Sequence, residues 1–174
     1  SKKLFQDVRV RQALYYAVTM TTRNQRSGER DGVDYHFVSP EKFWEMVKNE
    51  ELLEWAKVYD NYYGVSKREL EQALQRGQDV VVKVDVQGAA TIKRLLPQAV
   101  FIFLMPPSIE ELAARLWKRH TEPAAFALRL SKAEEEMKSL PLFDYVVVNH
   151  QDKIDLTVAQ LNAIITAEKC RVSP

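Results

Sequence analysis

Four stretches of this chain hold side chains whose types and spacing could handle a phosphorylated ligand. The first runs Thr19-Met20-Thr21-Thr22-Arg23-Asn24-Gln25-Arg26-Ser27-Gly28-Glu29-Arg30-Asp31-Gly32-Val33-Asp34-Tyr35, with hydroxyls and arginines around a turn and Tyr35 twelve residues after Arg23. Guanidinium forks bind phosphate bidentately, and Tyr and Thr hydroxyls add hydrogen bonds to it. A solvated, charged surface loop would have the same composition. The second stretch is Glu54-Trp55-Ala56 followed by Asn61-Tyr62-Tyr63-Gly64. A carboxylate can accept two N–H bonds from guanine, which presents its ring N–H and exocyclic amine side by side. The bland alternative makes Trp55 and Tyr62 core residues and leaves Glu54 exposed.

The third stretch is Asp85-Val86-Gln87-Gly88, a carboxylate at the end of an apolar run. It could orient a base, a metal-bound water or an arginine, or it could cap the next helix. The fourth runs from Arg115 through Arg119-His120-Thr121-Glu122 to Arg129, three arginines around a helix break. That pattern fits a mobile cationic lid or a basic helix face. His36, His120 and His150 have no Cys or carboxylate at ligand spacing, so no metal ligand is assigned.

The elements that must position these groups follow from local pattern. Asp79 to Asp85 and Ala99 to Met105 read as buried strands, and Asp144 to Val148 as a third that ends at Asn149. Ser66-Lys67-Arg68-Glu69 and Ser108-Ile109-Glu110-Glu111 are helix-starting tetrads. Ser39-Pro40 opens a helix over Pro40 to Lys48. A last helix is expected from about Asp155 to Cys170, with Leu156, Leu161, Ile164 and Ile165 facing inward. Strands alternating with helices predict an α/β fold, a parallel sheet covered by helices that binds ligands beyond the carboxyl ends of its strands. Asp85 and Asn149 would lie at such ends. The section from Tyr15 to Gly64 differs: Tyr16 to Met20 and Tyr35 to Val38 alternate like half-exposed strands, which reads as a small mixed insertion.

Composition narrows the class. The chain has 174 residues, the usual size of one domain, and 46% of them are hydrophobic, enough for a core. Lys+Arg 25 against Asp+Glu 24 leaves a net charge of +1, without the basic excess of a nucleic-acid or membrane-surface protein. Cys170 is the sole cysteine, so an internal disulfide is excluded. No apolar run approaches the ~20 residues of a membrane span, and no signal peptide is visible. The expected setting is the cytoplasm.

Taken together and in order, these segments resemble guanylate kinases, enzymes that pass the γ-phosphoryl group of ATP to GMP. TMTTRNQRSGERDGVDYHFVS is similar to that family's TTR-x-x-R-x-G-E-x-x-G-x-D-Y segment. LLEWAKVYDNYYG resembles its E-(W/Y)-A…NYYG element, KVDVQGA its I-D-x-Q-G strand end, and IFLMPPS its strand followed by two prolines. KRHTE stands near its R-G-T lid and DYVVVN resembles its last strand. The implied fold is α/β and P-loop NTPase-like: a helix-flanked parallel sheet, a small mixed α+β GMP-binding insertion and a helical lid. The core would comprise 1–14, 66–114 and 131–174, the GMP-binding region 15–65 and the lid 115–130.

The resemblance also implies roles. Arg23, Arg26, Tyr35 and Tyr63 would bind the GMP phosphate, while Glu54, Thr19 and Asp85 would read the guanine edge. Arg119 and Arg129 would reach over the transferring phosphoryl group, with Arg23 completing the catalytic cations, and Arg119 and Asn149 would contact ATP. Mg²⁺ would come bound with ATP; GMP and ATP are the expected partners, with no nucleic acid or membrane. Monomer and homodimer are both compatible. The chain departs from the family at Val65, where Ser or Thr is usual, at Lys83, where an acidic residue is frequent, and at Arg119-His120-Thr121. None of the five glycines precedes a Lys-Ser or Lys-Thr pair, so the family's glycine-rich phosphate loop is expected ahead of Ser1. Without it the chain would bind GMP but not phosphorylate it. That leaves an alternative from another class, a non-catalytic guanylate-kinase-like module that binds phosphopeptides or proteins, and a further one, a different nucleoside monophosphate kinase.

Overall fold

The computed structural model describes residues 15–118 and 122–172. They fall into two compact units, one ending at Pro97 and the other starting at Gln98. The first contains β1 (Tyr15–Ala17), β2 (Met20–Thr21), β3 (His36–Phe37), α1 (Pro40–Lys48), β4 (Leu52–Val58), β5 (Asn61–Ser66), α2 (Lys67–Gln75), β6 (Val80–Val82) and α3 (Val86–Leu95). The second contains β7 (Ile102–Met105), α4 (Ile109–Trp117), α5 (Pro123–Met137), a 3-10 turn (Leu140–Leu142), β8 (Tyr145–Val148) and α6 (Ile154–Lys169). The result is the expected α/β fold.

In the first unit β1 and β6 pair in parallel, with Tyr15 opposite Val80 and Ala17 opposite Val82. The mixed insertion is a four-stranded sheet in the order β3-β2-β5-β4, parallel between β2 and β3 and antiparallel elsewhere. The expected strand from Tyr16 to Met20 is not continuous. Its two ends pair with different sheets, so the chain steps from one to the other at Val18 and Thr19. That step leaves Thr19 buried between them. Phe43, Met46 and Leu52 form the core of the insertion, with Met20, Val38, Val47 and Tyr62 packed around them.

In the second unit β7 and β8 run parallel, from Ile102 opposite Tyr145 to Met105 opposite Val148. The runs expected to be fully buried are half-buried, at Val80–Val82 and Ile102–Met105, because each strand pairs on one side among the described residues. The inward stripe of α6 is also displaced from the expected one. Leu156 is 48% exposed, whereas Thr157, Val158 and Leu161 are buried. A helix advances about 100° per residue, so a stripe on 157, 158 and 161 leaves 156 on the outer flank.

Helix ends follow local chemistry closely. Ser39, Ser66 and Ser108 each accept a hydrogen bond from the backbone N–H three residues on, at 3.2, 3.3 and 3.2 Å. Two helices close with the same pair of reverse bonds. After α2, Gly77 and Gln78 donate to Leu74 and Ala73 at 2.9 and 3.1 Å, with Gly77 at φ +68. After α1, Glu50 and Glu51 donate to Val47 and Met46 at 3.1 and 3.0 Å, and there the left-handed position is taken by Glu50, at φ 55. A side chain in that conformation costs about 1 kcal/mol relative to glycine. Glu50→Gly is therefore expected to raise the unfolding free energy by about 0.5–1 kcal/mol, and Gly77→Ala to lower it by about 1 kcal/mol, in urea titrations. A loss of stability in Glu50→Gly would contradict this.

Candidate active site

Two clusters in the first unit gather the residues singled out above. One is built on β4, where alternation turns Leu52, Glu54 and Ala56 inward and Trp55 outward. Glu54 is 5% exposed and Trp55 43%, the reverse of the arrangement with a core tryptophan and a surface glutamate. Trp55 stacks on the outer face, edge-on to Trp44 at 5.3 Å. The Glu54 carboxyl packs on the first turn of α3, at Gly88. A methyl group there would stand 2.8 Å from Glu54 Oε2 and 3.0 Å from Val84 Cβ, so glycine is what lets the carboxyl reach this position.

Asp85 caps the same turn, its Oδ1 accepting from the Gly88 N–H at 2.8 Å. Its Oδ2 is buried and has no hydrogen-bond partner among the described residues. The capping and ligand-facing readings of Asp85 are thus compatible, one oxygen serving each. Burial, and then the negative charge of Asp85, push the Glu54 carboxyl up to about 7. Thr19 lies nearby in the chain path, its hydroxyl donating to the Lys83 carbonyl at 3.3 Å.

The second cluster is the loop between β2 and β3. Arg23 donates through Nη2 to both oxygens of Glu29, at 3.1 and 3.0 Å, and Glu29 is buried. Partial burial works against charge on Arg23, but Glu29 outweighs it and the Tyr63 hydroxyl adds to that, so its pKa is raised. The guanidinium carbon stands 5.2 Å from the Tyr35 ring centroid, and Tyr63 meets that ring edge-on at 6.0 Å. Arg26 is exposed, and its backbone N–H donates to Glu29 at 2.9 Å. Arg23, Tyr35 and Tyr63 are therefore together, with Arg26 at the same loop's edge. The arrangement presents a guanidinium and two phenols, chemistry suited to a phosphate dianion.

Sequence reasoning missed Glu29 as the group that orients Arg23. An Arg–Glu pair six residues apart in a charged loop is too common a pattern to have singled it out. In the sequence Gly88 stands out only as part of the Asp85-Val86-Gln87-Gly88 motif.

In the second unit, Asn149 follows β8 and extends the ladder, its N–H donating to the Met105 carbonyl at 2.9 Å. Its side-chain oxygen accepts from Thr157 at 3.5 Å and its carbonyl from Arg115 at 2.8 Å. Arg115 also pairs with Glu111, so it links α4 to the end of β8. Arg129 lies half-buried on α5. Arg119 lies outside the described residues.

The raised Glu54 value has a testable sign. Unfolded, this carboxyl releases its proton near its ordinary 4.5; folded, it holds the proton to about 7. The unfolded state therefore ionises first, and stability falls as pH rises between these values. The total fall is on the order of 3 kcal/mol. Urea unfolding of wild type and Glu54→Gln at pH 5 and pH 8 should show a decline in wild type that is much reduced in the variant; equal declines would contradict it.

The guanylate kinase family model matches residues 1–168. A guanylate kinase of Desulfitobacterium hafniense is 47% identical over 158 residues, covering 90% of this chain and 78% of that protein. One from Carboxydothermus hydrogenoformans is 42% identical over 168 residues, covering 95% and 81%. The crystal structure of guanylate kinase from Anaplasma phagocytophilum superposes with a TM-score of 0.82 at 32% identity, over 98% of this chain and 84% of that one. With the family model spanning nearly the whole chain and relatives this similar over most of their own length, the chain belongs to the guanylate kinase family.

Proposed function

We propose that the protein transfers the γ-phosphoryl group of ATP to GMP, giving ADP and GDP, and that residues 15–97 carry the GMP site. The observation that carries the assignment of the base is Glu54, a carboxyl buried beside Asp85 with no hydrogen bond or ion pair reaching it among the described residues. Guanine supplies the missing donors, its ring N–H and exocyclic amine meeting the two carboxylate oxygens. Adenine presents an acceptor where the ring N–H would be, and would leave the buried carboxylate unpaired. Thr19 and the second oxygen of Asp85 read the rest of that edge. The phosphopeptide-module alternative gives Glu54 no task.

Arg23, Arg26, Tyr35 and Tyr63 hold the GMP phosphate, with Glu29 fixing the Arg23 fork. This transfer needs no protein nucleophile; it depends on positioning and on cations at the oxygens of the transferring group. Arg119 and Arg129 are assigned to those oxygens, and Arg119 and Asn149 to ATP. Among the described residues no group of three or more His, Cys, Asp or Glu could hold a metal ion, and magnesium enters with ATP as the MgATP substrate. The functional division is a GMP-binding region over 15–65, a lid over 115–130 and a core from the remainder. No described helix is long and apolar enough to cross a membrane. The proposed setting is the cytoplasm and purine nucleotide metabolism, without nucleic-acid or membrane partners.

Steady-state assays of GDP formation test the assignment of the base. Glu54→Gln should lower kcat/KM for GMP by about a hundredfold, with KM for MgATP changed less than about twofold. Equal losses toward both substrates would overturn it. Glu29→Ala should raise KM for GMP by about tenfold by freeing the Arg23 fork; an unchanged KM would remove Glu29 from the account.

A further inference from the structure

Lys83 follows the last residue of β6, at the carboxyl end of that strand. Its Nζ donates to the Tyr35 hydroxyl at 2.9 Å and stands 4.6 Å from the ring centroid. The same ring carries Arg23 at 5.2 Å, so one phenol holds two cations. The polarity of the Lys83 bond matters. A phenol oxygen that accepts from an ammonium keeps its own proton to donate elsewhere, whereas a carboxylate at this position would draw that proton to itself. A phosphate oxygen bonded to Tyr35 at about 2.7 Å would then lie within about 5.6 Å of Nζ, the sum of the two bonds.

We propose that Lys83 is a phosphate-recognition residue of the GMP site: it sets the Tyr35 hydroxyl as a donor toward the phosphate and adds a second cation beside Arg23. The inference rests on the assignment of residues 15–97 to GMP. It gives this chain a substrate contact at a position where the family pattern frequently has an acid.

Calorimetric titration with GMP and with guanosine separates the phosphate from the base. Lys83→Met should weaken GMP binding about ten- to hundredfold while leaving guanosine binding within about twofold. Lys83→Arg, which keeps the charge, should retain most of the GMP affinity. GMP affinity unchanged in Lys83→Met would overturn the proposal. Equal losses for GMP and guanosine would overturn it too, by making Lys83 a support of the fold. Failure of the wild-type chain to bind either ligand would instead overturn the GMP assignment itself, and the role of Lys83 with it.

Discussion

Removing a carboxylate from water without a cation beside it is among the costliest things a folded chain can do, and the usual response is to keep the proton. Glu54 is in this position. It sits on the inward face of β4, against the start of α3, with the negative Asp85 as its charged neighbour, and its pKa rises to about 7. Much of the first unit serves that placement. Gly88 clears the space, Asp85 holds the helix turn with one oxygen, and the close pairing of β4 and β5 at Gly64 sets the strand depth. A methyl group at Gly64 would meet Leu52 Cδ1 at 2.8 Å and the Glu54 carbonyl at 3.1 Å. A ligand with two adjacent N–H donors, as in the proposed reading of guanine, would satisfy the buried carboxyl.

The cluster around Arg23 is built differently. Here the anion is inside the protein already: Glu29 is buried and satisfied by the Arg23 fork and the Arg26 backbone. Glu29 neutralises one side of the guanidinium and fixes its direction, while Tyr35 and Tyr63 line the other contacts. Such preorganisation lowers the ordering cost of binding. The two clusters thus differ: Glu54 is buried with no hydrogen bond reaching it among the described residues, whereas Arg23 is already held by Glu29.

What could be seen in the sequence was what depends on near neighbours. The serine caps at 39, 66 and 108 and the bounds of α1 follow from a few consecutive residues, and the structure has them. Arg23, Tyr35, Glu54 and Asp85 could be picked out by type and spacing. Their partners could not. The break between β1 and β2 reflects two sheets meeting, Lys83 reaches Tyr35 across 48 residues, and the Glu29 pairing needs the loop already folded. Leu156 falls outside the buried stripe because the rotation of α6 depends on where the helix starts, which periodicity alone leaves open by a residue or two.

If Glu54 reads guanine as a carboxylate, it must release on binding the proton that its raised pKa lets it hold below about pH 7 in the free protein. Guanosine has no phosphate to titrate near neutrality, so its binding isolates the base. Calorimetry at pH 6.5 in two buffers of different ionisation enthalpy counts the protons exchanged. With a free-state value of about 7, roughly three-quarters of a proton should be released per guanosine bound. Binding with no proton release, or with proton uptake, would contradict the account.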